Sequence, residues 1–230
     1  MKSCNSISRI VSILGLVGIF YCVCHAEDKK GSNFEFSTNR GSFSGTLSSS
    51  CSWQLEAGYH YMLCRFVGVG ASVGLWKVYF EEGRAYGDDW EVELDGDGNN
   101  NKPENFYLRP SLILKTPAIK IKSVDLGLYA EPGVMLNVPY AQVWVSQKID
   151  WHRYDSKRVW TNGGQWFAAD LRTGVYLNIG PCGLSAGYMM SNHDVYSQFR
   201  SLSYRGVSFK RFYPKMPFMQ GAYLTLSYYF

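Results

Sequence analysis

The sequence predicts an all-β fold, an eight-stranded antiparallel up-and-down transmembrane β-barrel, and three observations predict it. Aromatic residues make up 16% of the chain and sit beside 23 glycines, a mixture that suits strands and tight turns better than a helical bundle. Two-residue alternation of apolar and polar side chains recurs along the chain, while helical periodicity is hard to find. Short and long connections take turns between the alternating segments, as up-and-down strands require when short turns gather at one rim and long loops at the other.

Residues 1–26 read as a secretory signal. Lys2 and Arg9 give a basic start, Ile10 to Phe20 an apolar stretch, and Cys24-His25-Ala26 a cleavage site before "EDKK". The apolar stretch is shorter than the roughly 20 residues of a spanning helix. Lipoprotein processing at Cys22 or Cys24 is disfavoured, because Tyr21 and Val23 are bulky where that processing wants a small side chain. Residues 27–230 are then the barrel domain.

Signal removal takes Cys4, Cys22 and Cys24 and leaves Cys51, Cys64 and Cys182, an odd number that implies no disulfide framework. The last two fall in different short turns and Cys51 at the other rim, so no native disulfide is expected. Net charge falls from +4 by the two basic residues of the signal to +2, which offers no case for nucleic acid. No cofactor is implied.

The strands follow in order. The first is placed around Asn33 to Thr38. "WQLEAGYHY" sets Trp53, Leu55, Ala57, Tyr59 and Tyr61 against Gln54, Glu56, Gly58 and His60, and "VGVGASVGL" sets Val67, Val69, Ala71, Val73 and Leu75 against glycine and Ser72. "FYLRPSLIL" opposes Phe106, Leu108, Pro110, Leu112 and Leu114 to Tyr107, Arg109 and Ser111. "VDLGLYAEPGVML" opposes its aliphatics to Asp125, Tyr129 and Glu131, and "WFAADLRTGVYLNI" opposes its own to Asp170, Arg172 and Tyr176. "GLSAGYMM" and the terminal run Phe218 to Phe230 complete the eight. Short links at 62–65, 116–122 and 180–182 alternate with long ones at roughly 39–50, 80–104, 137–165 and 192–217.

Alternation alone does not say which face is wet, since a lipocalin-like barrel alternates too. Side-chain chemistry does. The polar face carries glycine, serine, tyrosine and the isolated charges Glu56, Arg109, Asp125, Glu131, Asp170 and Arg172, which suit a narrow lumen, while the other carries aliphatics mid-strand and aromatics near the ends. A lipid-facing band with aromatic girdles has this distribution. Closure follows, because hydrocarbon offers no partner to an unpaired strand edge.

On these residues the sequence resembles the small eight-stranded outer-membrane β-barrel family of Gram-negative bacteria, over 27–230. The resemblance implies a bacterial outer-membrane location. It also implies that the last strand, with Leu224, Leu226, Tyr228 and Phe230 on one face, is read by the barrel assembly machinery during biogenesis.

Each candidate site has a structural alternative. The six lumen charges could line a conducting path, but an eight-stranded interior is about filled by side chains, so a plug of salt bridges is expected. "DGDGNNN" (Asp95 to Asn101) departs from the EF-hand template at Asn100 and Phe106 and reads as a loop tip. His60 is expected as a hydrogen-bonded lumen residue. His152 and His193 lie among loop acids and Ser191, without a spacing that identifies a catalytic set. Segment 80–104 is strongly acidic, whereas 137–165 brings Lys148, Arg153, Lys157 and Arg158, and 192–217 brings Arg200, Arg205, Lys210 and Arg211. These loops are expected to attract one another into a cap, and the basic ones to contact lipopolysaccharide phosphates or a surface partner. "WEVEL", "AQVWV" and "VSFKRF" read as strands continued above the membrane.

The expected role is a non-enzymatic surface interaction or envelope protein with a plugged lumen and four long extracellular loops. A small porin-like channel and a rim-located enzyme are the alternatives.

Overall fold

The computed structural model describes residues 39–48, 52–78, 83–94, 104–150 and 153–230. The signal segment, the Asn33 to Thr38 strand, the Asp95 to Asn101 loop tip and His152 lie outside them.

Eight antiparallel strands form the barrel: β1 (Asn39–Ser48), β2 (Ser52–Met62), β3 (Val67–Val78), β4 (Glu104–Lys115), β5 (Val124–Val138), β6 (Phe167–Ile179), β7 (Cys182–Ser191) and β8 (Met219–Tyr229). Each pairs with the next, and β1 pairs with β8 from Arg40 opposite Tyr229 to Ser48 opposite Gly221, which closes the sheet. Closure leaves the barrel no free edge, the condition a spanning sheet must meet.

The first strand differs from its expected place. "NRGSFSGTLS" is β1, not a loop, and only residues 49–51 join it to β2. Its outward positions are Gly41, Phe43, Gly45 and Leu47, so glycine occupies half of the lipid face and mutes the alternation. The inward positions Arg40, Ser44 and Thr46 are buried. Three long loops therefore rise from the far rim, rather than four.

The opposite rim carries short links. Residues 63–66 join β2 to β3, and Gly180-Pro181 joins β6 to β7, with Gly180 in the left-handed region at φ 56°. Residues 116–123 double back, with Ile119–Ile121 pairing on β5. Cys64, in the first of these links, is disulfide-bonded, against the expectation of none. Cys182 is free, so the partner of Cys64 lies outside the described residues.

The three long loops fold together above the far rim. Strands Gly83–Tyr86, Trp90–Leu94, Ala141–Asp150 and Arg153–Thr161 form a second, four-stranded sheet. "WEVEL" and "AQVWV" thus continue as strands. "VSFKRF" does so only at Val207–Ser208, which pairs with Ser203–Tyr204, and then turns into a 3-10 helix at Phe209–Arg211 started by the Ser208 side chain. A short helix, α1 (Ser197–Arg200), completes the cap.

The cap has its own core. Trp90 and Val92 from the first long loop, Ala141, Val143 and Val145 from the second, and Phe199, Leu202, Tyr204, Phe209 and Tyr213 from the third are all buried in one cluster. Trp90 stacks on Phe209 at 5.8 Å and meets Tyr204 edge-on at 5.4 Å. Apolar packing therefore holds the loops together, where charge attraction was expected. The ion pair between the acidic and basic loops that the described residues show, Arg205 to Asp89, is about half exposed, and surface pairs of that kind contribute little.

Candidate functional site

The barrel interior is organised around Arg109 of β4, whose side chain is completely buried. Its Nε lies 2.9 Å from both Asp170 carboxylate oxygens, and Nη2 is 2.8 Å from Oδ2. Nη1 reaches Glu131 Oε1 at 2.5 Å, and Nη2 also donates to the Glu131 carbonyl at 3.1 Å. Arg172 forms a two-pronged pair with Glu56 at 3.0 and 2.7 Å, and Tyr107 donates to the same carboxylate at 3.0 Å. Ser111 donates to Glu131 at 3.2 Å and lies 2.9 Å from His60 Nε2. The planar fork of arginine suits this task, since it satisfies several carboxylate oxygens at once.

Glycine makes room for the network. A side chain at Gly133 would meet the Arg109 guanidinium at 2.8 Å, and one at Gly74 would meet the Tyr107 ring at 2.3 Å. Larger residues at these inward positions would displace the groups that hold the charges.

Five of the six expected lumen charges meet in this network. Asp125 does not: it sits at the start of β5, opposite Asn178 and Lys120 at the short-turn rim, and is half-buried. Inward alternation put it on the polar face, but its place at the strand end keeps it away from mid-barrel. Two inward cations were missed, one buried and one half-buried. Arg40 is 2% exposed and interacts electrostatically with Glu131; it was hidden by the misplaced first strand. Lys115 donates to the Tyr229 hydroxyl, and extending the Tyr107, Arg109, Ser111 face by two more steps would have found it. With Arg40, three arginines stand against three carboxylates.

Above the network, Trp76, Tyr107, Met135, Met189, Met219 and Tyr223 fill the upper lumen. His193, two residues beyond β7, seals it. Its ring packs edge-on against Trp76 at 4.8 Å, and Nδ1 lies 3.3 Å from Asn137 Nδ2. The Ser191 hydroxyl donates to the Ala169 carbonyl, and Asp194 is engaged by Arg200, so neither neighbour is turned to the imidazole.

Burial pushes His193 down to about 4 from an ordinary value near 6.5. The sign follows: when the cap opens, a solvated imidazole takes up a proton below about 6.5, whereas the buried one does not until about 4. Cap stability should be complete above that window and fall by on the order of 3 kcal/mol as pH drops through it. Hydrogen exchange of residues 193–213 should quicken over the same range, and His193→Asn should flatten the response. An unchanged profile in the variant would assign the effect to other groups.

The exterior is the reverse of the lumen. Leu47, Val73, Phe106, Leu128, Val138, Phe167, Leu224 and Leu226 are all exposed, with Tyr59, Tyr61, Tyr228 and Phe230 towards the short-turn rim. A continuous apolar wall around a charged, hydrogen-bonded interior is stable only with hydrocarbon outside. The chain is a membrane-spanning β-barrel.

No protein-family model matches the chain, and no curated protein is similar to it in sequence. Several solved structures are similar in strand arrangement, among them the following three. Neisserial surface protein A matches at 12% identity and TM-score 0.40, covering 84% of this chain and 94% of that one. A major outer membrane protein from Thermus thermophilus matches at 12% and 0.44, covering 84% and 99%. The outer membrane enzyme PagL matches at 10% and 0.37, covering 83% and 99%. At these levels the assignment rests on this chain's own strand pairing and exterior.

The residues expected to guide assembly, Leu224, Leu226, Tyr228 and Phe230, all lie on the outer wall at the β1/β8 seam. The Phe230 amide donates to the Asn39 carbonyl at 3.0 Å, and its ring neighbours Tyr228 and Tyr59.

The eight basic loop residues divide by role. Arg200 holds Asp194 and the Pro214 carbonyl, Arg205 pairs with Asp89, and Lys157 lies over the Tyr204 ring at 5.9 Å; all three brace the cap. Arg211 covers Phe212. Lys210 joins Arg200 and Lys215 around a cleft of about 400 Å³ beside Gln165, Ser197 and Ser201. Lys148 and Arg158 face outward, and Arg158 donates to the Tyr140 hydroxyl at 2.7 Å. The side chain of Arg153 is outside the described residues.

Proposed function

We propose that this chain is a non-enzymatic surface-interaction protein, in which the barrel is a membrane anchor and the folded cap is the working part. The lumen network carries the reading. Side chains from β2, β4, β5 and β6 meet across the barrel at hydrogen-bond distance, and Arg109 at their centre has no solvent exposure. Such a lumen supports a plug rather than a conduit, because ions would have to break several desolvated ion pairs to pass. The cap supports the other half, since three loops that share a buried core present a fixed surface. Around His193 the Ser191 hydroxyl and the Asp194 carboxylate are engaged by Ala169 and Arg200, which favours the non-enzymatic reading over a rim enzyme built on that histidine.

Purified barrel in planar bilayers is expected to show no sustained single-channel conductance at neutral pH. Reproducible ohmic channels from the folded, heat-modifiable form would overturn the anchor reading in favour of the pore.

A further inference from the structure

The ion-pair network fills the middle of the lumen, and towards the short-turn rim the barrel opens out. Several inward positions between Arg109 and that rim are small: Ser42 on β1, Gly58 on β2, Gly70 on β3, Gly127 on β5, Gly174 on β6 and Ser227 on β8. Ser42, Ser111 and Ser227 point inward and are nonetheless half-exposed, whereas Ser44 and Thr225, one inward step nearer the far rim, are buried. Water therefore reaches this end of the barrel and is stopped at the ion pairs. The outcome is a blind vestibule that faces the short-turn side.

Donors are in excess in the vestibule. Arg40 stands opposite His60 on β2 and Tyr229 on β8, so three inward side chains share one level, with neighbouring Cβ atoms roughly 5 Å apart. Arg40 is 2% exposed, yet neither its Nε nor its Nη1 meets an acceptor among the described residues. Lys115 comes to them from β4: its ammonium donates to the Tyr229 hydroxyl, and Arg40 acts on both groups electrostatically. Glu131 is within electrostatic reach of Arg40 and Lys115, but its Oε1 accepts from Arg109 and Ser111. Lys115 added to the three arginines makes four inward cations against Glu56, Glu131 and Asp170. Asp125, at the rim, stands opposite Lys120 and leaves that excess in place. His60 supplies an acceptor. The Ser111 hydroxyl proton goes to Glu131, so Ser111 accepts from His60 Nε2; with the ring neutral, Nδ1 keeps its lone pair and has no partner among the described residues.

We propose that this vestibule binds one small oxyanion that also carries a proton, the chemistry of hydrogenphosphate. Its charged oxygens meet the Arg40 N–H groups and the Lys115 ammonium, contacts strengthened by charge at both ends. Its O–H donates to His60 Nδ1. A buried guanidinium whose N–H groups lack acceptors is destabilising, and the oxyanion supplies acceptors while offsetting the excess cation. The ion pairs close the vestibule at its inner end, so the anion is held rather than passed. The site needs nothing from the cap, and it stands whether or not the surface-interaction reading does.

The folded full-length barrel in maltoside micelles should bind inorganic phosphate saturably, one ion per chain, when titrated by calorimetry in phosphate-free buffer. Arg40→Gln should weaken that affinity at least about tenfold, as loss of charge-assisted bonds implies. Ser42→Leu keeps every charge and fills the space between Gly58 and Ser227, so it should weaken binding as well. Sulfate, which carries no O–H at neutral pH, should bind the native protein about tenfold more weakly than phosphate, and His60→Leu should erase that difference. Lys210→Ser/Lys215→Ser, on the cleft beside α1, should bind phosphate like the native protein. Absence of saturable binding at millimolar phosphate would mean that water alone meets the Arg40 donors, and the proposal would be wrong. Loss of binding in the cleft variant with native affinity in Arg40→Gln would place the anion at the cap and overturn it too, and equal affinity for sulfate would overturn the choice of ligand. Heat-modifiable migration checks folding. Where Arg40→Gln fails that check, Arg40→Lys takes its place: it keeps a charge beside Glu131, loses the Nε and Nη1 donors, and should weaken phosphate binding in the same direction.

Discussion

Replacing Arg109 with methionine is expected to destabilise the barrel by about 3–5 kcal/mol, the cost of leaving buried charge without its partner. Arg109 hydrogen-bonds both Asp170 and Glu131, and it has no exposure to solvent. Without it, three carboxylates face two arginines, and Arg172, committed to Glu56 at 2.7 Å, reaches Asp170 only at 3.8 Å. Arg109→Lys should fall between, since an ammonium keeps the charge but reaches fewer of the oxygens that the planar fork satisfies. The measurement is the urea or thermal midpoint at which the folded barrel loses its fast migration on a detergent gel. A loss below about 1 kcal/mol in Arg109→Met would mean that the charges are solvated and that the lumen is not plugged.

The same substitution bears on charge pairing. Removing one partner of a buried pair costs more than replacing the whole set, because the remaining charges stay desolvated. Restoring neutrality with Asp170→Asn beside Arg109→Met, which leaves Arg40 and Arg172 against Glu56 and Glu131, should recover much of the lost stability. The recovery would show that charge pairing, rather than the volume of the arginine, is what the lumen requires.

Most of the barrel was legible because lipid and lumen impose opposite demands on successive residues. β8 is the clearest case: Leu224 and Leu226 are exposed by 51% and 57%, while Tyr223 and Thr225 between them are each 4% exposed. β1 was illegible for the converse reason. Gly41 and Gly45 hold outward positions without hydrophobicity, so closure against β8, a contact across nearly the whole chain, decides what local pattern does not. The lumen charges were legible as a set but not as a network, since alternation gives the face and not the height along the barrel. Arg109 and Asp170 meet across strands, whereas Asp125 shares their face and stays at the rim. Loop charges misled more, because sign was visible and packing was not. The cap is held by Trp90, Phe199 and Phe209, whose burial depends on contacts among three loops that no single segment reveals.

Trp90→Ala is the second large effect, and it should fall on the cap rather than the barrel. The indole is 4% exposed, stacks on Phe209 and meets Tyr204 edge-on, so its loss should cost about 3–5 kcal/mol of local stability. The cap core and the upper-lumen core are separate buried clusters, bridged on their margins by Tyr196. Hydrogen exchange across residues 141–161 and 197–213 should therefore rise sharply, while the heat-modifiable migration of the barrel stays near native. A barrel transition that falls by the same amount would mean that cap and barrel unfold as one unit. Independence of the two would have a functional consequence: lipid and the lumen ion pairs hold the anchor whatever the cap does, so a surface that needs a fixed shape must build its own core from its own loops. Trp90, Phe199 and Phe209 are the aromatic centre of that core, and loosening them should abolish surface interaction before it disturbs insertion.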